Sequence, residues 1–291
     1  MKTIRLNNGV EMPQLGYGVW QITPEECEHY VSEALNVGYR SIDTAQAYYN
    51  EEGVGEAIHK CGIPRRELFI TTKVWISNAG DERAARSIDE SLCKLRTDYI
   101  DLLLIHQPFG DYYGTYRAME KAYKAGKVRA IGLSNFYDAR FVDLAENVEI
   151  KPAVVQLETH VFTQQQKMRE LCKPYGTHVM AWSPLARGMN GLFTNETLKA
   201  IGEKYGKDNA QIALKFLEQE GIIVVTQSTK KERMANNLHL DSFMLTEEDM
   251  NVIRRLDTGK PLSAVFTDPK LAKFLLEYDR NNNPAYKKQK Q

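Results

Sequence analysis

The sequence lacks any apolar run near the ~20 residues that a transmembrane helix requires. Residues 1–5 also lack the apolar core of a secretory signal peptide, so we expect a cytoplasmic protein. Neither sign of charge is in excess, because lysine plus arginine and aspartate plus glutamate both number 38. A chain without net charge has no long-range field that favours nucleic acid or an anionic membrane as a partner.

Cysteine is also scarce, and none of the four cysteines forms a C-x-x-C pair with another. Widely spaced cysteines of this kind are typical of reduced thiols rather than of a disulfide framework. No histidine lies at metal-ligand spacing from a cysteine, so we predict that the protein binds no metal. The one basic run, at residues 287–291, is typical of a solvated chain end.

A complete dinucleotide-binding glycine fingerprint is missing as well. Gly16 and Gly18 form a G-x-G after the first predicted strand, but the third glycine and the acidic partner are absent. This absence argues against a doubly wound open sheet, which is the main competitor among folds that alternate strands and helices.

What is present is a regular alternation of apolar strand-like runs and helical periodicity. After a predicted hairpin at 3–12, strands are predicted at 15–19, 40–43, 68–73, 99–105, 128–133, 153–157, 178–182 and 222–226. Helices are predicted at 24–37, 51–60, 81–95, a stretch ending near 125, 138–146, 164–173, 196–205, 208–219, 230–237 and 246–256. Eight strand–helix units without a linker predict one α/β domain over 1–291, a (β/α)8 TIM barrel at about 15–257. Extra C-terminal helices and a tail are expected at 258–291.

Three of the predicted strands end at, or just before, an ionisable side chain, which is unusual for a buried strand. Asp43 and Lys73 each end a strand, His106 directly follows one, and Tyr48 lies shortly after Asp43. The C-terminal ends of parallel strands meet at one face of a barrel, which is the face that carries catalytic residues. We therefore expect one site built from these four residues. A structural ion pair is the alternative interpretation for Asp43 and Lys73.

The segments that carry these residues resemble those of a known family. Residues 43–51, which read Asp-Thr-Ala-Gln-Ala-Tyr-Tyr-Asn-Glu, resemble the D-T-A-x-x-Y-x-N-E signature of the aldo-keto reductases. Residues 69–75 and 101–106 are similar to the lysine and histidine strands of that family, and 131–136 to its G-x-S-N-F segment. Matching segments occur in order along most of the chain, with the short loops of bacterial members such as the 2,5-diketogluconate reductases. The family fold is a (β/α)8 barrel, as the alternation of elements also predicts.

Carbonyl reduction gives each of the four residues a chemical role, and the resemblance implies the same roles. The reaction needs a hydride on carbon and a proton on oxygen, and a free phenol is a poor proton donor near neutral pH. We expect Tyr48 to be the general acid, with its pKa lowered by Lys73, while Asp43 holds Lys73 in place. His106 is expected to orient the carbonyl oxygen. The adjacent Tyr49 lacks the motif spacing.

The resemblance further implies that NADPH or NADP+ binds across the barrel mouth. In the family pattern, Ser134, Asn135 and Gln156 hold the nicotinamide carboxamide, and Trp182 occupies the position of a stacking aromatic residue. The implied cofactor-binding residues are Trp20, Asp43, Ser134, Asn135, Gln156 and Trp182, with Ser183, Leu185 and Arg187 at the pyrophosphate and Gln227, Ser228, Thr229, Arg233, Asn236 and Asn237 at the adenosine end. Gln227 stands where the family has a lysine, which removes one cation from the expected 2′-phosphate site and leaves NADH use open. Arg233 remains as a phosphate ligand.

The implied substrate-binding residues are Trp20, Tyr48, Trp75, His106 and Gln107. Gln107 replaces a tryptophan that is common in the family, so a more polar substrate is expected. The segment 259–291 corresponds to the variable C-terminal loop of the family. The function predicted from these residues is an NADPH-dependent, monomeric reductase of aldehydes, ketones or keto-sugars. The alternative is a non-catalytic or very slow barrel that senses a nicotinamide nucleotide or has a structural role.

Overall fold

Eight parallel strands close into a barrel in a computed structural model that describes residues 2–282. The barrel strands are β3 (Leu15–Gly18), β4 (Ser41–Asp43), β5 (Phe69–Val74), β6 (Leu102–Ile105), β7 (Ile131–Ser134), β8 (Val154–Glu158), β9 (His178–Trp182) and β10 (Ile223–Thr226). Neighbouring strands follow one another in sequence, and β10 pairs with β3 to complete the circle. The predicted (β/α)8 barrel is confirmed. The predicted solvated run at 287–291 lies outside the described residues.

Eleven α-helices are described in residues 2–282, and most of them connect consecutive barrel strands. They are α1 (Pro24–Val37), α2 (Glu51–Lys60), α3 (Asp81–Lys94), α4 (Tyr112–Lys124), α5 (Asp138–Asn147), α6 (Gln166–Cys172), α7 (Glu196–Tyr205), α8 (Asn209–Gln219), α9 (Lys231–Leu238), α10 (Glu247–Arg254) and α11 (Pro269–Asn282). In α1, the buried residues Cys27, Val31, Ala34 and Leu35 repeat with helical spacing and face the barrel. Gly38 ends this helix with a φ of 121°, which favours glycine. None of the described helices is long and apolar enough to cross a membrane.

A two-stranded hairpin covers the N-terminal end of the barrel. Its strands β1 (Thr3–Arg5) and β2 (Glu11–Pro13) pair antiparallel, with Ile4 opposite Met12. Met12 is fully buried and belongs to an apolar cluster with Leu102 and Ile223, which lie at the starts of their strands. The hairpin therefore closes the barrel at the end opposite to the C-terminal ends of the strands.

The strand predicted at 99–105 is shorter in the structure, because regular pairing begins only at Leu102. The preceding Ile100 forms an isolated bridge with Val128. Next to it, the buried carboxylate of Asp101 accepts hydrogen bonds from Arg65 at 2.7 Å and Arg129 at 2.7 Å. Side-chain contacts thus hold the residues just before β6, and the apolar pattern alone could not show that the regular strand begins at Leu102.

Candidate active site

A cavity of about 670 Å³ opens at the C-terminal ends of the barrel strands. Strand-terminal residues such as Gly18, Asp43, Ser134 and Thr226 line it. Tyr48 and His106, which follow β4 and β6, line the same cavity. The structure therefore brings the predicted polar residues together at the face where barrel enzymes carry out their chemistry.

Asp43 and Lys73 form a buried ion pair beneath the cavity. They lie on the paired strands β4 and β5, and the Lys73 Nζ lies 2.6 Å from Asp43 Oδ1. The same ammonium donates to the carbonyl oxygen of Thr44 at 2.8 Å. Burial alone would lower the pKa of Lys73, but Asp43 and Tyr48 outweigh burial and raise that pKa above its ordinary value of 10.5. Lys73 is therefore an ammonium at neutral pH.

Tyr48 stands above this ion pair, in a short 3-10 helix between β4 and α2. Lys73 Nζ lies 5.0 Å from the centre of its ring. Burial raises the pKa of Tyr48 above its ordinary value of 10.0, and Lys73 lowers that pKa only in part. The pKa of Tyr48 is thus raised overall, whereas the sequence analysis predicted that Lys73 would lower it. The reason is that desolvation of the phenolate outweighs the attraction of the ammonium. Tyr48 is a protonated phenol at neutral pH.

His106 lines the cavity next to Tyr48. It follows β6 directly, and its ring meets those of Tyr48 and Trp75 edge-on, with ring centres 5.5 Å and 5.0 Å away. Burial, followed by the charge of Lys73, lowers the pKa of His106 well below 6.5. Its Nδ1 is buried and has no hydrogen-bond partner among the described residues. The imidazole is therefore neutral at physiological pH.

We expect His106 to remain neutral across the range of about pH 5.5 to 8 in which an ordinary histidine titrates. Its folded-state pKa lies below its unfolded value, so only the unfolded chain binds this proton as the pH falls below about 6.5. His106 should thus lower the free energy of unfolding in acid, where the unfolded state gains the proton. Ring resonances assigned through His106→Asn should stay constant over this range in the folded protein and shift in urea. A folded-state midpoint near that of urea-unfolded protein would contradict this prediction.

Asn135 connects the predicted carboxamide-binding residues. Its Nδ2 donates to the His106 carbonyl oxygen at 3.1 Å and lies 3.3 Å from Gln107 Oε1. Its Oδ1 accepts the indole N–H of Trp182 at 3.0 Å. Gln156 donates to Asp43 Oδ2 at 3.0 Å, so both oxygens of that carboxylate are occupied. Gln156 is thereby fixed next to the ion pair, and Asn135 is fixed beside His106.

Arg187 lines the cavity and belongs to the segment that follows β9. Its guanidinium lies 4.3 Å from the centre of the Trp20 ring and 5.7 Å from that of Trp182. Its Nε donates to Ser183 Oγ at 3.1 Å. Leu185 also lines the cavity, so the residues that the family pattern assigns to the pyrophosphate lie together.

The predicted residues for the adenosine end divide into two groups. Gln227 lines the cavity, and its amide donates to the backbone carbonyl of Trp20. The others lie on the connection after β10 and on α9, and they do not line the cavity: Ser228, Thr229, Arg233, Asn236 and Asn237. Arg233 and Asn236 are exposed, whereas Asn237 is buried. These five predicted residues therefore lie next to the cavity rather than in its interior.

The predicted substrate-binding residues all line the cavity, but the sequence did not reveal one of its walls. Trp20, Tyr48, Trp75, His106 and Gln107 are in place. The unpredicted wall comes from the C-terminal segment and consists of Ser263, Ala264, Phe266, Leu271, Phe274, Leu275 and Tyr278. The signal was present in the helical spacing of 271, 274, 275 and 278, which marks one face of an amphipathic helix.

No group of three or more histidine, cysteine, aspartate or glutamate side chains that could hold a metal ion occurs in the part of the chain that the structure describes. Its four cysteines are free thiols, of which Cys93 is exposed and Cys27 and Cys172 are buried.

Comparison with known proteins gives one consistent result. Residues 9–258 match the model of the Aldo/keto reductase family. The chain is 45% identical over 257 residues to the glyoxal reductase of Bacillus subtilis (strain 168), covering 88% of this chain and 92% of that protein. It is 38% identical over 262 residues to the methylglyoxal reductase DkgA of Escherichia coli (strain K12), covering 89% and 94%. A solved structure of a Gox0644 mutant in complex with NADPH superposes with a TM-score of 0.86 at 34% identity, covering 91% of this chain and 97% of that one.

Proposed function

Because this chain belongs to the aldo/keto reductase family, we propose that it reduces aldehydes and ketones to alcohols with NADPH. The observation that carries the proposal is the contact of Lys73 with both Asp43 and Tyr48, next to His106 at the cavity. Relatives named glyoxal reductase and methylglyoxal reductase support carbonyl substrates. The structural neighbour in complex with NADPH supports the choice of cofactor.

The donor set in the cavity fits a nicotinamide ring. Ser134, Asn135 and Gln156 are buried and carry the hydroxyl and amide groups that a carboxamide can pair with. Trp182 presents an indole at the same wall, where it would stack on the ring, and Arg187 is a cation available to the pyrophosphate. NADPH, when bound, supplies the hydride that the carbonyl carbon receives.

The proton comes from the chain itself. The phenol of Tyr48 is protonated at neutral pH and gives its O–H proton to the carbonyl oxygen as that oxygen gains negative charge. The Lys73 ammonium stabilises the phenolate that remains, and Asp43 keeps the ammonium in position. A buried phenol is costly to ionise in the resting protein, so the proton leaves only when an acceptor is present.

His106 orients the carbonyl. A neutral imidazole carries one N–H, which can donate to the carbonyl oxygen without competing with Tyr48 as an acid. Gln107, which follows it, places an amide beside the carbonyl and favours polar groups on the adjacent carbon, as in 2-oxoaldehydes or keto-sugars. The proposed substrates are thus small carbonyl compounds with a polar neighbour.

A carbonyl panel tests this function. Purified protein should oxidise NADPH when given methylglyoxal, a keto-sugar or p-nitrobenzaldehyde, and should not do so without a carbonyl compound. Tight NADPH binding with no turnover across the panel would contradict the proposal and favour the nucleotide-sensing alternative.

We further propose that the protein is a single-domain monomer in the cytoplasm. Light scattering after gel filtration measures the mass in solution, which should equal that of one chain.

Cofactor preference should respond to two substitutions near the adenosine end. Gln227→Lys restores a cation where the family has one, and we expect it to tighten NADPH about tenfold with little effect on NADH. Arg233→Ala should weaken NADPH much more than NADH, because only NADPH carries the 2′-phosphate. Dissociation constants from tryptophan fluorescence measure both effects. Equal weakening of both cofactors by Arg233→Ala would show that this arginine does not contact the 2′-phosphate.

A further inference from the structure

The side chain of Gln46 joins the turn that carries Tyr48 to the segment that follows β5. Gln46 is the first residue of that 3-10 turn and lies two positions before Tyr48. Its Oε1 accepts the backbone N–H of Trp75 at 2.9 Å and the side-chain amide of Asn78 at 2.9 Å. Position 46 is a variable position of the D-T-A-x-x-Y-x-N-E signature, so the signature assigns Gln46 no role.

The nitrogen of the same amide is bound to α3. Gln46 Nε2 donates to the backbone carbonyl of Ser87 at 3.3 Å and to Ser91 Oγ at 3.2 Å, and both serines are buried. A backbone N–H only donates and a carbonyl oxygen only accepts, so the contacts with Trp75 and Ser87 determine which end of the amide is the oxygen. The Gln46 side chain therefore cannot rotate without losing hydrogen bonds at both of its ends.

The two segments that Gln46 joins carry the two rings that contact His106. Tyr48 and Trp75 both meet the His106 ring edge-on, with ring centres 5.5 Å and 5.0 Å away, and all three side chains line the cavity. Lys73 lies two positions before Trp75, and its Nζ is 5.0 Å from the centre of the Tyr48 ring. Gln46 thus connects the backbone beside the proton donor to the backbone beside the ammonium that stabilises its phenolate.

We propose that Gln46 is a positioning residue for proton transfer, which holds the Tyr48 hydroxyl at its working distance from the carbonyl oxygen that His106 orients. The proposal rests on the function proposed above. Gln46 does not line the cavity, so it acts through Tyr48 and Trp75 and not on the substrate. A displacement of about 1 Å at a reacting group can cost about 10² in rate. Partial loss of this restraint should therefore slow the chemical step and leave NADPH binding unchanged.

The rate of the first turnover in Gln46→Met tests the positioning role. Methionine has a similar length but lacks the amide that binds both segments. Protein in excess over NADPH would be mixed with saturating methylglyoxal, and the loss of NADPH absorbance would be followed, which separates the chemical step from product release. We expect the rate constant to fall at least about fivefold. The dissociation constant of NADPH, and the fraction of chains that bind it, should remain at their wild-type values.

Two further variants separate positioning from a general structural role. Gln46→Glu keeps an acceptor for the Trp75 N–H, so its first turnover should be at least about twofold faster than that of Gln46→Met. Gln14→Met is the matched control, because the Gln14 amide is buried, donates to the carbonyls of Glu218 and Ile222, and does not line the cavity. It should leave the rate constant unchanged. Should Gln46→Met fail to fold, Gln46→Ala takes its place with the same expected fall, since water can replace the missing amide.

The positioning role and the proposed function fail in different ways. A wild-type rate constant in the folded Gln46 variant would overturn the positioning role alone. So would an equal fall in Gln14→Met, no recovery in Gln46→Glu, or a smaller fraction of NADPH-binding chains that react at the wild-type rate. Absence of NADPH oxidation by wild-type protein with every carbonyl compound would contradict the proposed function and the positioning role with it.

Discussion

Tyr48→Phe is expected to lower kcat for carbonyl reduction by at least about 10², the usual effect of losing a positioned general acid. The substitution removes only the phenolic oxygen, so the ring contact with His106 and the packing beside Lys73 remain. NADPH binding, measured by tryptophan fluorescence, should stay near the wild-type value. The free energy of unfolding should fall by no more than about 1–2 kcal/mol, because the substitution removes a single hydrogen-bonding group and leaves the ring in place.

Tyr49→Phe is the control for this prediction, because it removes the same atom from the next residue. Tyr49 is 63% exposed, and its backbone is left-handed with a φ of 58°. We expect its kcat to lie within about twofold of the wild-type value. If the two variants behave alike, the acid within this Tyr-Tyr pair has been assigned incorrectly.

Lys73→Met is expected to have the second large effect, on both activity and stability. It removes a buried ammonium and leaves the Asp43 carboxylate without its partner, which costs about 3–5 kcal/mol of the free energy of unfolding. It also removes the positive charge that stabilises the Tyr48 phenolate, so kcat should fall by about 10² or more. Urea denaturation and steady-state kinetics measure the two effects separately.

Lys215→Met separates these two effects. Lys215 is also fully buried and lies 2.5 Å from Glu218, but it does not line the cavity. Its replacement should destabilise the protein by a few kcal/mol without a change in kcat, because only the structural ion pair is lost. A fall in kcat in Lys215→Met as large as that in Lys73→Met would mean that destabilisation, and not chemistry, explains both.

Much of the barrel and the centre of its site could be predicted because they depend on local patterns. Short apolar runs that alternate with helical periodicity define the eight strands, and parallel strands bring Asp43, Lys73 and His106 to one face. Tyr48 lies close to Asp43 in sequence, so a short 3-10 turn is enough to bring it over Lys73. Side-chain spacing and strand direction thus determine this part of the site.

The rest could not be predicted because it depends on contacts between distant segments and on solvent exclusion. The helical spacing of residues 271–278 predicts an amphipathic helix, but the hydrogen bonds that Leu262 and Ser263 donate to Glu158 leave no periodic trace, so the sequence alone could not place this segment at the cavity. The direction of the Tyr48 pKa depends on how much burial opposes the Lys73 charge, which no motif encodes. Similarly, the contact of Gln227 with the Trp20 carbonyl joins the segments that follow β10 and β3, which are about 200 residues apart in the sequence.

Transfer of the hydride is the step that tests the central proposal most directly. NADPH that carries deuterium at the transferable position of C4 would be incubated with the protein and methylglyoxal, and the alcohol would be analysed by mass spectrometry. The proposed function predicts one deuterium on the new carbinol carbon with wild-type protein and at least about 10²-fold less labelled product with Tyr48→Phe. Binding of the labelled NADPH without any labelled alcohol from wild-type protein would contradict it.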